Sequence, residues 1–126
     1  MGVIIKKPLI DGDKGSKRVM ALFDSGASHT LIRKNVAQTF ATITKLRHPM
    51  RFGLGDGKGK VIAKSMVGFQ LHLKGCQLLD DAVVVDELSD EIIIGASTLQ
   101  KYRLILDFDK EDVIVDKKRI NRLMLV

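Results

Sequence analysis

An apolar run that ends on a carboxylate constrains this chain more than any other feature. Val19-Met20-Ala21-Leu22-Phe23 is short, continuous and apolar, the pattern of a buried strand, and it leads directly into Asp24-Ser25-Gly26-Ala27-Ser28. A buried strand that delivers an Asp sets an electrostatic problem. An isolated ionised carboxylate in apolar surroundings must be paired, hydrogen-bonded or neutralised. Ser25 brings a hydroxyl, and Gly26 a backbone that can turn closely around the carboxylate. The competing reading is a strand followed by an ordinary turn with a solvated Asp, and this stretch by itself does not separate the two.

Around it the chain reads as short strands. Val3 to Ile5 is a first strand, and Asp11-Gly12-Asp13-Lys14-Gly15-Ser16 is the turn of a hairpin, with Asp24 just beyond the second strand. The hexapeptide fails as a calcium loop, because Ser16 and Leu22 stand where Gly and Glu are needed. Thr30-Leu31-Ile32 opens another strand, and Asn35 caps a short helix that places Val36, Ala37 and Phe40 on one side. Ile43 to Leu46 is a strand that Pro49 ends. Glycines at alternate positions (Gly53, Gly55, Gly57, Gly59) make a mobile hairpin tip. A phosphate-binding loop is excluded there, because Leu54 and Val61 occupy the places of its first Gly and its Ser or Thr.

From Val61 the apolar residues alternate. Val61, Ala63, Val67, Phe69, Leu71 and Leu73 share a face, with Ser65 the exception, which predicts one long strand or two with a kink at Gly68. Ala82 to Val85 and the β-branched triplet Ile92-Ile93-Ile94 are further strands, separated by the acidic turn Asp86 to Asp90. Gly95 ends the triplet where the backbone must pass close to something. Ser97 to Lys101 fits a helical turn that buries Leu99 and Tyr102. Leu104 to Phe108 and Val113 to Val115 flank a polar hairpin turn, and the apolar tail from Ile120 to Val126 requires its own sheet or a second copy to cover it. Many short strands and few, short helices point to a closed, barrel-like β fold in one domain spanning residues 1–126; regular crossover helices are absent from the pattern.

At 45% hydrophobic residues the chain supports a core and is not disordered. Its apolar runs fall far short of the roughly 20 residues of a transmembrane helix. The N-terminus lacks the order of a signal peptide, and Lys6 stands where a myristoylation signal needs Ser or Thr. The expected location is the cytoplasm or the interior of a larger precursor. Cys76 is the only cysteine, so no intrachain disulfide forms, and it reads as structural. The net charge of +6 comes with 5% aromatic residues and no Trp, which offers no stacking platform and predicts a solvated basic surface without a nucleic-acid partner. A basic nucleic-acid-binding β-barrel therefore has no motif behind it. His29, His48 and His72 stand alone, so no metal or other cofactor is expected; His29, beside the Asp loop, reads as an exposed loop histidine.

Asp24-Ser25-Gly26-Ala27, with the apolar run before it and Thr30-Leu31-Ile32 after it, resembles the catalytic loop of the retropepsin-like aspartic proteases. The family's second signature, apolar residues ending in Gly and then a short helix, stands as Ile92-Ile93-Ile94-Gly95 followed by Ala96 to Tyr102. The resemblance covers residues 17–115. It implies a mainly β, closed acid-protease-type barrel with one short helix after the second motif, two chains together forming the active site. It implies an aspartic-type endopeptidase, a hydrolase of peptide or protein substrates. The catalytic residue would be Asp24, supported by Ser25 and Gly26, with Ile94 and Gly95 as the structural second motif. Ala27 and Ser28, and Leu54, Gly55, Asp56, Gly57, Lys58 and Gly59 of a flap, would bind the substrate.

The chain carries one Asp-Ser-Gly, so the second carboxylate must come from a second copy, in a symmetric homodimer. The alternative is a catalytically weak retropepsin-like dimerisation or peptide-binding module. Retroviral members often carry an Asp shortly after the catalytic loop, paired with an Arg directly after the second-motif Gly. Ser28 and Ala96 stand at those places, and the joint loss suggests a cellular or divergent member. Lys58 and Lys60 in the flap hint at acidic substrates.

Overall fold

The structure, a computed structural model, describes residues 2–53 and 59–124, with side chains as far as residue 120. In chain order the elements are β1 (Ile4–Lys6), β2 (Leu9–Gly12), β3 (Gly15–Arg18), β4 (Ala21–Phe23), β5 (Leu31–Arg33), α1 (Lys34–Phe40), β6 (Thr44–Gly53), β7 (Lys60–Leu73), β8 (Cys76–Val85), β9 (Ile92–Ile94), α2 (Ala96–Lys101), β10 (Ile105–Asp107), β11 (Asp112–Ile114) and α3 (Lys117–Met124). Nine of the strands form one sheet in the order β1-β4-β9-β5-β8-β7-β2-β3, with β6 added to β7, and β10 pairs with β11 alone. The sheet curls into a half-barrel around Phe23, Ile32, Phe40, Leu71, Ile92 and Ile94. The fold is mainly β, with few and short helices.

β9 explains why Ile92-Ile93-Ile94 does not alternate. It lies inside the sheet, parallel to β4 and antiparallel to β5, and all three isoleucines are buried. β7 obeys the alternation read from its sequence and is one continuous strand through Gly68, which pairs with Asp81. It turns into β8 through Lys74 and Gly75, both at positive φ.

Four local expectations are corrected. Val19 to Phe23 is not one strand: Met20 leaves the ladder, 47% exposed, and its N–H donates to Glu91 Oε1 at 2.7 Å before β4 begins at Ala21. Asp24 thus follows a separate strand rather than the hairpin β2–β3. Pro49 does not end its strand. β6 runs through it, because a register shift between Lys45 and Met50 takes the proline out of the ladder. Asn35 does not cap α1; Arg33 is the N-cap, and Asn35 Oδ1 instead accepts from Arg33 Nε at 2.8 Å. Of the tail, the described residues form a helix and not a strand of the chain's own sheet: α3 starts at an Asp116 cap, whose Oδ1 accepts from Arg119 N–H at 3.2 Å, and buries Ile120 completely. The helix expected after the second motif is α2, and α1 and α3 accompany it.

No helix among the described residues is long and apolar enough to cross a membrane.

Candidate active site

β4 and β5 lie on either side of β9, so the loop joining them, residues 24–30, is folded back over the end of that strand. The register pairs Phe23 with Ile94. One residue further, Asp24 N–H donates to Ile94 O at 2.9 Å, which continues the parallel ladder to the carboxylate-bearing residue. The Asp24 carboxylate then turns the chain: Oδ1 accepts from Gly26 N–H at 2.8 Å, and Ala27 N–H donates to Asp24 O at 3.2 Å. This is the local turn expected of Asp-Ser-Gly, with Asp24 half-buried and Ser25 exposed.

Beyond β9 the chain is clamped to the same loop. Ala96 N–H donates to Ala27 O at 2.7 Å and Ser97 N–H to Ser28 O at 3.0 Å. Gly95 lies just before them, against the backbone of His29. A Cβ there would lie 2.3 Å from His29 O and 2.8 Å from Ala27 O, so space rather than dihedral angle demands glycine. Beneath the clamp, Thr30 and Thr98 are buried and join through their hydroxyls, and Gly95 N–H donates to Thr30 Oγ1 at 3.2 Å. The two halves of the site, widely separated in sequence, are held by backbone hydrogen bonds and one buried hydroxyl pair.

A two-stranded arm, β6 with the first part of β7, stands over the loop. Phe52, 6% exposed, meets the His29 ring edge-on at 4.6 Å between centroids. Phe52 and Ala63 pack with Ala27, Leu31, Leu88 and Ile93, a small apolar cluster between arm and loop. On another side Ser25 borders a cavity of about 630 Å³, lined also by Ala96, Leu99, Arg103, Leu104 and Phe108.

The structure thus brings Asp24, Ser25, Gly26, Ala27, Ser28, Ile94 and Gly95 together. Ala27 is buried, its carbonyl taken by Ala96, and Ser28 is exposed with its Oγ 3.1 Å from His29 Nδ1. Gly59 stands on the arm at φ +96°. Leu54, Gly55, Asp56, Gly57 and Lys58, expected at the flap tip, lie outside the described residues. Thr98, its pairing with Thr30, and the place of Phe52 against the loop had no signal in the sequence. Away from this loop, Asp11, Asp13 and Asp112 are held below the ordinary carboxylate range, by hydrogen bonds from Ser16, Thr42 and Lys74 respectively before all other causes. Among the described residues no group of three or more His, Cys, Asp or Glu side chains is placed to hold a metal ion.

The profile of the family described as "gag-polyprotein putative aspartyl protease" matches residues 10–101. Two solved structures share the fold. The retroviral protease-like domain of Ddi1 from Leishmania major superposes with a TM-score of 0.66 and 18% identity, over 92% of this chain and 90% of that one. The EIAV protease in complex with the inhibitor HBY-793 superposes with a TM-score of 0.56 and 18% identity, over 79% of this chain and 86% of that one. No curated protein sequence matches the chain.

Proposed function

The chain belongs to the gag-polyprotein aspartyl protease family, and from that premise we propose that it is an aspartic endopeptidase in which two Asp24 side chains, one from each subunit of a homodimer, share the chemistry. The observation that carries this reading is the clamped loop: Asp24 lies at the end of a buried strand with Oδ1 fixed by Gly26 N–H, and the chain holds one such loop.

Two carboxylates that meet at a symmetry axis cannot both ionise cheaply, which is general for aspartic proteases, so the pair carries one proton at its working pH. The ionised member takes a proton from a water, whose oxygen attacks the scissile carbonyl carbon. The protonated member hydrogen-bonds the carbonyl oxygen, and a proton then passes to the leaving nitrogen. Gly26 fixes the orientation of each carboxylate. Ser25 would reach across the axis, and Ala27, Ser28 and the arm, with Gly59 and the residues before it, would hold an extended peptide.

A second copy also suits the surface beside Ser25. Ile105 and Ile114 are directly paired on β10–β11 and are 59% and 45% exposed. A lone two-stranded sheet gains from further strands and cover. Replacing Asp24→Asn should lower peptide cleavage by about 10²-fold or more while leaving the dimer mass unchanged. Cleavage at the parent's rate would overturn the assignment.

The second reading, a dimerisation or peptide-binding module with little turnover, is favoured by Ser28 and Ala96, which meet the neighbouring segment through backbone groups alone. Peptide binding without hydrolysis at both acid and neutral pH would establish it.

A further inference from the structure

The positive charge of this protein is concentrated in one arm. Residues 44–66 carry six basic side chains and one acidic one, which accounts for five of the net +6; the remaining chain carries fifteen basic against fourteen acidic. Lys45, Arg47, Arg51, Lys60 and Lys64 are all exposed. None of the salt bridges found among the described residues engages them.

The register sorts the arm into two faces. Phe52 pairs with Val61 and Met50 with Ala63, and this face turns toward the Asp24 loop. Arg51 pairs with Ile62, and Lys60 and Lys64 flank Ile62 along the strand, so they share the opposite face. Arg47 lies in the register shift of β6, a strand whose other edge is unpaired among the described residues. Lysine and proline on a free edge also discourage aggregation. That requirement is met by charge of either sign and does not explain why the arm is basic throughout while the remaining chain is balanced.

The complementary partner is a polyanion, and two features favour a polypeptide over a nucleic acid. The described part of the arm has Phe52 as its one Phe, Tyr or Trp, and Phe52 is buried, so bases find a single exposed imidazole, His48, in place of a stacking platform. Phe52 also rests on His29 of the Asp24 loop, so a segment paired along the free edge of β6 passes beside that loop while its side chains reach both faces of the arm. A free strand edge bordered by bases suits an extended acidic segment, which it can pair by main-chain hydrogen bonds.

We propose that the arm selects polypeptides with acidic side chains flanking the segment that enters the Asp24 cleft. This rests on the proteolytic reading for its consequence, and on the charge distribution for its chemistry. The test uses the full chain and three peptides with one apolar centre and Glu, Gln or Lys flanks. Cleavage is followed near neutral pH, and binding to the Asp24→Asn variant by fluorescence anisotropy. The Glu-flanked peptide should be cleaved and bound about tenfold better than the Gln-flanked one at low salt, with the advantage shrinking at about 0.5 M salt.

Arg47→Glu with Arg51→Glu and Lys60→Glu should invert the order in favour of Lys flanks, read as the ratio of the Lys-flanked to the Glu-flanked rate on one preparation. Should that variant not fold, the salt dependence of the unmodified protein decides. Equal rates for all three flanks at low salt would overturn the inference and leave proteolysis standing. Acid-selective binding without any cleavage would uphold the arm's role and sink proteolysis. Binding of an oligonucleotide duplex to the arm at lower concentration than the Glu-flanked peptide would also overturn it, in favour of a nucleic-acid partner.

Discussion

A methyl group added at Gly95 would sit 2.3 Å from the carbonyl oxygen of His29, and that neighbour is backbone, fixed on one side by the hydrogen bonds Ala27 O and Ser28 O accept from Ala96 and Ser97, and on the other by those Thr30 accepts from Gly95 and Val83. It can yield only if the loop that carries Asp24 lifts. Gly95→Ala is therefore expected to cost about 1–3 kcal/mol, the range of overpacking in a tight site, and to lower peptide cleavage more than this loss of stability explains. Thermal melting and initial rates on the same preparation check it; unchanged rates would mean that the clamp does not position Asp24. This glycine was legible in the sequence, because a β-branched triplet that stops on Gly asks for close approach. The hydroxyl pair beneath it was not. Thr30 and Thr98 are 68 residues apart, lie on no shared period, and become neighbours only when β5 and α2 meet. The same holds for His29 and Phe52: an exposed loop histidine gives no sign in sequence of the ring that will touch its edge.

Among the elements of the large sheet, the first part of the arm β6–β7 is thinly supported, since β6 pairs with β7 alone and a single buried aromatic ties it to the loop. Phe52→Ala should remove that tie at a cost of about 3 kcal/mol. Its signature is local. Amide exchange should accelerate in residues 50–53 and 60–63 while β8 stays protected, and KM should rise more than kcat falls. Uniform acceleration through β8 would show instead that Phe52 holds the whole sheet. The two strands of the arm were not equally legible. β7 alternates, and alternation is a local property of a strand with one buried face, so its apolar face was read correctly. β6 was cut short at Pro49, because a proline usually ends a strand; the rule gives way where the strand has a free edge and the ladder already shifts. Val19 to Phe23 failed for a related reason. An apolar run does not report where a ladder breaks: Val19, Ala21 and Phe23 are buried, while Met20 between them is exposed and donates to Glu91.

For the molecule as a whole, pairings such as β4 parallel to β9 join Ala21 to Ile92, and nothing local specifies them. The spacing of the two signatures and the family resemblance carried the topology, whereas the carboxylate ties that brace it had no sequence signal. Asp112 is such a tie: Lys74 Nζ at 2.7 Å and Lys6 Nζ at 3.2 Å join β11 to the β7–β8 turn and to β1. Asp13 receives Thr42 N–H at 2.6 Å and its hydroxyl, and Asp11 meets Ser16 and His72. All three carboxyls are held below their ordinary range, with the Lys74, Thr42 and Ser16 hydrogen bonds the largest causes in turn. A carboxyl depressed in the folded state contributes stability that is fully present above its unfolded value of about 3.9 and is lost as the pH falls through the folded value. The melting temperature should therefore stay nearly level from pH 7 to about 5 and drop below about 4. Lys74→Met lets the Asp112 carboxyl move back toward its ordinary value, so the variant should lose its Asp112 share at every pH above 5 and lie closer to the parent in stronger acid. If the two melting curves instead stay parallel down to about pH 2, Lys74 acts through packing rather than charge. Convergence would mean that these ties remain ionised through mild acid, so the half-barrel would stay braced under conditions in which one member of a carboxylate pair carries its proton.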